Sequence, residues 1–183
     1  MKPLLKFEGV ALRRSGRLLF EGLDLSLGPG EALQVTGPNG CGKSSLLRLA
    51  AGLLHAEAGR VDRASVALSD DAVALDAELP LLEALRFWAR EPEPAMAALG
   101  LGGLAQVPVR LLSSGQRRRA TLARVAASGT SLWLLDEPIN GLDTDGVERL
   151  DALVARHRSS GGAVLAASHS PLAGEWAQVE LGR

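Results

Sequence analysis

The chain of 183 residues contains no tyrosine, and aromatic residues make up only 3% of it. Little material is left for the ring platforms on which single-stranded bases stack. A net charge of −1 supplies no basic face for a phosphate backbone, so nucleic acid is not expected as a partner. The single cysteine, Cys41, rules out an internal disulfide and fits a reducing compartment. No run of about 18 apolar residues occurs, so no helical membrane span is expected. Met1 to Glu8 holds no apolar run of signal-peptide length. Any membrane role must therefore come through a partner.

Glycine, by contrast, is plentiful, and it clusters usefully. Gly37-Pro38-Asn39-Gly40-Cys41-Gly42-Lys43-Ser44 fits G-x-x-x-x-G-K-[ST], a phosphate-binding loop. Glu31 to Thr36 reads as a short buried strand before it, and Ser45 to Ala51 as a helix after it, stopped by Gly52. Glycines at 37, 40 and 42 let the backbone turn tightly, so that successive N–H groups form a nest around an anion. The helix start adds unpaired donors and roughly +0.5 of a charge. Lys43 is expected on the β- and γ-phosphates and Ser44 on Mg²⁺, with Ser45 next in the same set. Cys41 reads either as a small filler of the loop or as a reactive thiol near a helix start.

The chain around the loop alternates strands and helices. Leu4 to Leu12 and Leu18 to Leu27 read as an early strand pair, kinked at Gly22 and placed ahead of the loop. Arg60 to Asp62 and Ala64 to Leu68 read as short strands. Leu79 to Ala89 reads as a helix with Leu81, Leu82, Leu85 and Trp88 at helical spacing, its apolar side chains exposed for a partner. A short helix is expected over Pro94 to Leu99 and longer ones over Gly115 to Ala127 and Thr144 to Arg158. Ser131 to Leu135 and Ala163 to Ala167 read as core strands, with Val179 to Leu181 as a last one. Such alternation means a parallel sheet covered on both faces.

Two strand ends carry chemistry. Asp136 closes a run of four apolar residues, which places a carboxylate at the edge where parallel sheets bind ligands. It can hold Mg²⁺, and Glu137 beside it can polarise the attacking water as general base. His169 ends the following strand and can hydrogen-bond a γ-phosphate there. His55 and His157 read as surface or loop positions. Arg117, Arg118 and Arg119 read as a solvated face or as an anion contact, two readings that composition leaves open.

Leu112-Ser113-Ser114-Gly115-Gln116 has no explanation in periodicity. It resembles the L-S-x-G-Q signature of ATP-binding cassette (ABC) ATPases. Walker A at Gly37 to Ser44, Walker B at Leu132 to Asp136 with Glu137, and the switch histidine His169 stand around it in the family's order. The resemblance covers nearly the whole chain, read as one domain, 1–183. It implies an α/β P-loop NTPase fold, mainly a parallel sheet flanked by helices, with a small N-terminal antiparallel β subdomain and a short helical subdomain at about 75–128. It further implies ATP and Mg²⁺ as ligands, and a head-to-tail dimer of two copies. Each ATP would touch Lys43 and Ser44 of one copy and Ser113 and Gly115 of the other, with hydrolysis tied to dimer closure.

Arg13 to Phe20, Leu81 to Trp88, Leu112 to Arg119 and Leu132 to Pro138 resemble the haem-exporter subfamily of cytochrome c maturation. That likeness implies integral membrane partner subunits, a peripheral place at the cytoplasmic face of the inner membrane, and ATP used to release haem-loaded chaperone. The alternatives are the motor of another small exporter and a nucleotide-gated module with little hydrolysis. A soluble cassette of DNA repair or iron–sulfur assembly is disfavoured by the neutral charge and the lack of long insertions. Three departures from the family pattern stand out. Ser69-Asp70-Asp71-Ala72 replaces the usual Gln region, where a carboxylate could still reach Mg²⁺. Asn140-Gly141-Leu142-Asp143 keeps only Leu142 and Asp143 of the D-loop. Arg14 falls where an aromatic usually stacks on adenine; a guanidinium can also stack on a base. Weak discrimination between ATP and GTP is therefore expected, with lower affinity for both in Arg14→Ala. A strong ATP preference that survives Arg14→Ala would overturn that assignment.

Overall fold

Strand β1 (Leu5–Arg14) turns Leu5, Phe7, Val10 and Leu12 into the core. The spacing breaks at Gly9, whose φ of 57° marks an irregularity between Phe7 and Val10 that keeps the apolar side chains on one face. Gly22 (φ 61°), in β2 (Arg17–Leu27), lies at the next irregularity, between the pairs Val10 with Leu23 and Leu12 with Phe20, where the sequence places a kink. Strand β4 (Ala58–Arg63) pairs on the other side of β1, giving an antiparallel sheet ordered β2-β1-β4. The computed structural model describes residues 2–70 and 75–182. Asp71 and Ala72, part of the departure noted above, lie outside the described residues.

A second sheet, among the described residues, has the order β5-β6-β7-β3-β8. Its strands are β3 (Ala32–Thr36), β5 (Val66–Ser69), β6 (Leu132–Asp136), β7 (Ala163–Ala167) and β8 (Ala177–Glu180). β3 pairs in parallel with both β7 and β8, and β6 in parallel with β7. Continuous burial of β7 and of Leu132 to Leu135 is what a sheet covered on both faces requires. Helix α1 (Lys43–Ala51) lies against β6 and β7. Its Leu46 and Leu47 are fully buried, each contributing about 1.5–3 kcal/mol. Gly52, left-handed at φ 78°, caps it as expected.

The chain packs as two compact units. The first comprises Met1–Leu68, Thr130–Pro138 and His157–Arg183, and holds both sheets. The second comprises Ser69–Gly129 and Ile139–Arg156. Within it, α4 (Ser114–Ala127) contacts α2 (Leu81–Arg86) and α3 (Glu93–Ala98) around Leu81, Leu85, Met96, Leu99 and Ala123. Helix α5 (Thr144–Ser159) begins in this unit. The expected helix over Leu79 to Ala89 is shorter than its periodicity suggests. The N–H groups of Leu81 and Leu82 donate to the carbonyls of Val107 and Ala105, and Leu79 accepts from Val109, so the chain before Leu81 is bound to a neighbouring segment. The exposure expected of its apolar side chains is met only in part: Leu81 and Leu85 are wholly buried, while Phe87 is 81% exposed and Leu79 and Trp88 are also open to solvent.

His157 departs from the sequence reading as a surface or loop position. Its ring stacks on Trp133 of β6, with centroids 3.8 Å apart and planes within 9°. Gly162 closes over the other side, since a Cβ there would collide with the imidazole. Burial holds the His157 pKa below its usual 6.5, against a smaller opposite pull from the carbonyls of Ala163 and Ser131. The unfolded chain then takes up a proton at a higher pH than the folded one. The stabilisation is fully present above the usual histidine value and is lost as pH falls below it. Urea midpoints should accordingly fall between about pH 7 and pH 5. A His157→Phe variant, which keeps a flat ring on Trp133, should lose that part of the pH dependence; an unchanged profile would show that the stack does not titrate.

Candidate active site

The site begins where β3 ends. At Gly37 the backbone turns with φ 136°, and an added Cβ would strike the Leu181 carbonyl oxygen. Glycine is the residue that fits both the angle and the close approach. Gly42, at φ 115°, is the N-cap of α1 and brings no side chain to compete for the first helical donors. Lys43 is buried, and its ammonium donates to the carbonyls of Gly37 (2.8 Å) and Pro38 (3.3 Å), inside the loop. Cys41 is buried too, against the backbone of the same turn, as the filler reading expects.

An open cleft of about 440 Å³ borders the loop. Asn39, Gly40, Gly42, Lys43, Ser44 and Ser45 form one wall; Arg14, Ser15 and Leu19 form another, with Glu137 beside them. Arg14 reaches Ser45 with Nη1 to Oγ at 3.4 Å. The Leu19 Cβ lies 3.3 Å from where a Gly42 Cβ would be, so the hairpin of β1 and β2 overhangs the loop. Sequence reasoning did not find Ser15 or Leu19. The Arg-Ser-Gly-Arg turn was the available signal, but placing Leu19 over Gly42 takes the hairpin register, which shifts at its irregularities.

Asp136 stands at the end of β6, half-buried, opposite Ala167. Glu137 follows in the left-handed region at φ 45°, a strained setting for a residue with a side chain. Its N–H donates to the Ala167 carbonyl at 2.8 Å. Its Oε2 lies 2.8 Å from His169 Nδ1 and 3.4 Å from the His169 N–H. An ionised carboxylate only accepts, so in this pair Nδ1 carries the proton and Nε2 is left for a second partner. Ser44 and Asp136 are hard oxygen donors of the kind Mg²⁺ takes alongside phosphates. Among the described residues no group of three or more His, Cys, Asp or Glu is arranged to hold a metal by itself.

The other sequence-predicted residues belong to the second unit. Leu112 is buried, while Ser113 and Ser114 are exposed. Ser113 caps α4: its Oγ accepts from the Gln116 N–H (3.2 Å), and Gln116 Oε1 accepts from the Ser113 N–H (2.9 Å). Gly115 faces the Gly141 carbonyl, 3.1 Å from where a Cβ would be, so the signature lies beside the D-loop segment within this unit. Leu142 donates its N–H to the Ile139 carbonyl (3.1 Å), and Asp143 Oδ1 accepts from the Gly146 N–H (2.8 Å) at the start of α5. The arginine run is neither wholly solvated nor waiting for an anion. Arg117 donates to the Leu112 carbonyl, and Arg119 donates to that of Leu99 and lies 3.8 Å from Asp145. Asp70 is buried, and its charge bears on Arg124, whose pKa burial lowers and Asp70 raises. Arg124 in turn lies 4.7 Å from the centre of the Trp88 ring. Asp70 is thus balanced by an arginine of its own unit.

The sequence profile of the family described as ABC transporter matches residues 20–140. Two relatives named cytochrome c biogenesis ATP-binding export protein CcmA are similar over most of the chain. The protein of Sphingopyxis alaskensis is 56% identical over 94% of this chain and 93% of its own. That of Novosphingobium aromaticivorans is 54% identical over 90% and 87%. Two solved structures share the fold. An ATP-binding subunit of an ABC transporter superposes with a TM-score of 0.88 over 97% of this chain and 85% of that one, at 21% identity. An ATP-binding cassette of an ABC transporter gives 0.83 over 100% and 88%, at 18% identity.

Replacing Lys43 removes a buried cation from the loop. Lys43→Ala is expected to weaken ATP binding by about 10- to 100-fold, the worth of a hydrogen bond to a charged group. Titration with a fluorescent ATP analogue measures it, and tight binding retained by the variant would count against the loop assignment.

Proposed function

Since the chain belongs to the ABC transporter family and, within it, to the cytochrome c biogenesis ATP-binding export proteins, we propose that it is the ATP-hydrolysing subunit of a membrane complex for cytochrome c maturation, coupling hydrolysis to release of haem-loaded chaperone. The observation that carries the catalytic part is the cleft that unites the phosphate loop with Glu137. In this reading the loop N–H groups and Lys43 bind the β- and γ-phosphates, and Arg14 with Leu19 receives the base. Glu137 accepts the proton of the attacking water, and His169 contacts the γ-phosphate through Nε2. Ser44 and Asp136 hold Mg²⁺, which when bound neutralises charge on the phosphate oxygens.

The second unit supplies the partner half of the site in a head-to-tail dimer, and its helices form the helical subdomain. Ser113 to Gly115 lie at a helix N-terminus, where donors and dipole favour a γ-phosphate. Among the described residues no helix is long and apolar enough to cross a membrane, so the membrane is reached through integral subunits. The exposed apolar side chains of Leu79, Phe87, Trp88 and Leu111 support a docking face for them, at the cytoplasmic side of the inner membrane. A second reading, a nucleotide-gated module with little turnover, draws support from Asp143, whose carboxylate caps α5.

Glu137→Gln separates these readings. For the ATPase, the variant should bind ATP and dimerise, with kcat lowered by about 10²- to 10⁴-fold. Mixing Lys43→Ala chains with Gly115→Asp chains should restore turnover, because each mixed dimer keeps one intact site. Unchanged hydrolysis in Glu137→Gln overturns the base assignment. Binding and closure without turnover in the unaltered chain selects the gated module.

A further inference from the structure

Gln34 sits in the middle of β3, in register with Ala166 of β7 and among apolar neighbours. It is only 2% exposed. A primary amide in such a place is costly unless it is hydrogen-bonded. Its Nε2 donates to the Ser170 carbonyl at 2.8 Å and, at 3.4 Å, to the Ser168 carbonyl. Those two carbonyls flank His169. Ser168, fully buried, ties the same turn: its Oγ donates to the Ser170 carbonyl at 2.9 Å and accepts from the Ser170 N–H at 3.2 Å. The Ser168 N–H also donates to the Val35 carbonyl, extending β7 along β3. The main chain on both sides of His169 is therefore gripped from the strand that carries the phosphate loop. The imidazole projects from this clamp, 55% exposed, onto Glu137.

We propose that Gln34 is a positioning residue for ATP hydrolysis. Its amide holds the turn bearing His169 in a fixed relation to the phosphate loop, which begins three residues further along the chain, just past the end of β3. Gln34 is buried and does not line the cleft; it acts through the histidine. The proposal rests on the reading of His169 as a γ-phosphate contact.

Steady-state hydrolysis by the full-length chain tests it, with Gln34→Met, His169→Ala and the double variant. Methionine keeps length and burial but donates nothing. Gln34→Met should lower kcat by about 10- to 100-fold, the cost of a small misplacement. KM for ATP should stay within about twofold, because the loop is untouched. In the His169→Ala background the same change should cost less than about twofold, since its route of action is gone. An equal loss in both backgrounds marks Gln34 as ordinary packing and overturns the proposal. Wild-type kcat in Gln34→Met, with kcat lowered in His169→Ala, overturns it while leaving the histidine reading intact. Unchanged kcat in His169→Ala removes that reading and the proposal with it. Should Gln34→Met fail to fold, Gln34→Glu decides. Protonated, its carboxyl donates to the carbonyls; ionised, it repels them. Its activity relative to wild type should rise as pH falls, and a constant ratio would refute the clamp.

Discussion

The site depends on a place where no side chain fits. Strand β3 runs between β7 and β8, and as it ends the chain must turn beneath the Leu181 carbonyl at the close of β8. Gly37 passes because it has no Cβ. Leu181 also donates its N–H to the Thr36 carbonyl at 2.9 Å, so the last strand is bonded to the residue just before the turn. Cys41 fills the space below, and Gly182 passes 3.1 Å from its Cβ, measured from where a side chain would start. The glycine at position 37 gives the loop a fixed shape and not a loose one. Backbone donors aimed at an anion are useful only when they are held in place before it arrives.

The same strand order assembles the rest. With β7 next to β3 and β6 next to β7, the ends of three strands present Thr36, Asp136 and Ala167 along one edge of the sheet. Glu137 is bent into the left-handed region one residue past that edge. Its N–H is spent on the Ala167 carbonyl, a bond that offsets part of the strain, and its carboxylate turns to His169. Acid and histidine are therefore set against one another by backbone bonds between neighbouring strands, and both strands are fully paired in the sheet.

Much of this was legible because the relevant residues are close together in sequence or repeat with a simple period. The loop, the strand before it and the helix after it follow from the consecutive residues Glu31 to Ala51. Asp136, Glu137 and His169 follow from counting to the ends of apolar runs. What escaped depends on contacts between distant segments. His157 reads as a surface or loop position, yet Trp133 and Gly162 make a slot for its ring. Leu19 looked like one more alternating residue, and the irregular register of β1 with β2 carries it over Gly42. Leu79 and Pro80, expected at the start of helix α2, are instead bound to the segment from Ala105 to Val109, a pairing that periodicity does not encode. The arginines after the signature were ambiguous for a similar reason: their acceptors are the carbonyls of Leu112 and Leu99.

The signature shows how a structural rule and a catalytic one can share residues. Ser113 and Gln116 form a capping box, which on its own explains why a serine and a glutamine stand at this spacing before a helix. The box sets the orientation of the hydroxyl. Ser113 Oγ is an acceptor toward the Gln116 N–H, so its own proton points elsewhere. Gln116 satisfies the Ser113 N–H, and the N–H groups of Ser114 and Gly115 face outward at the start of α4 as helix geometry requires. On the proposed reading, a γ-phosphate from the partner copy meets a hydroxyl donor and the helix N-terminus without displacing the cap. A cap is worth about 1 kcal/mol, so keeping it spares that cost at dimer closure. The bonds gained across the interface then bear on closure undiminished, and hydrolysis of the bridging phosphate removes them together.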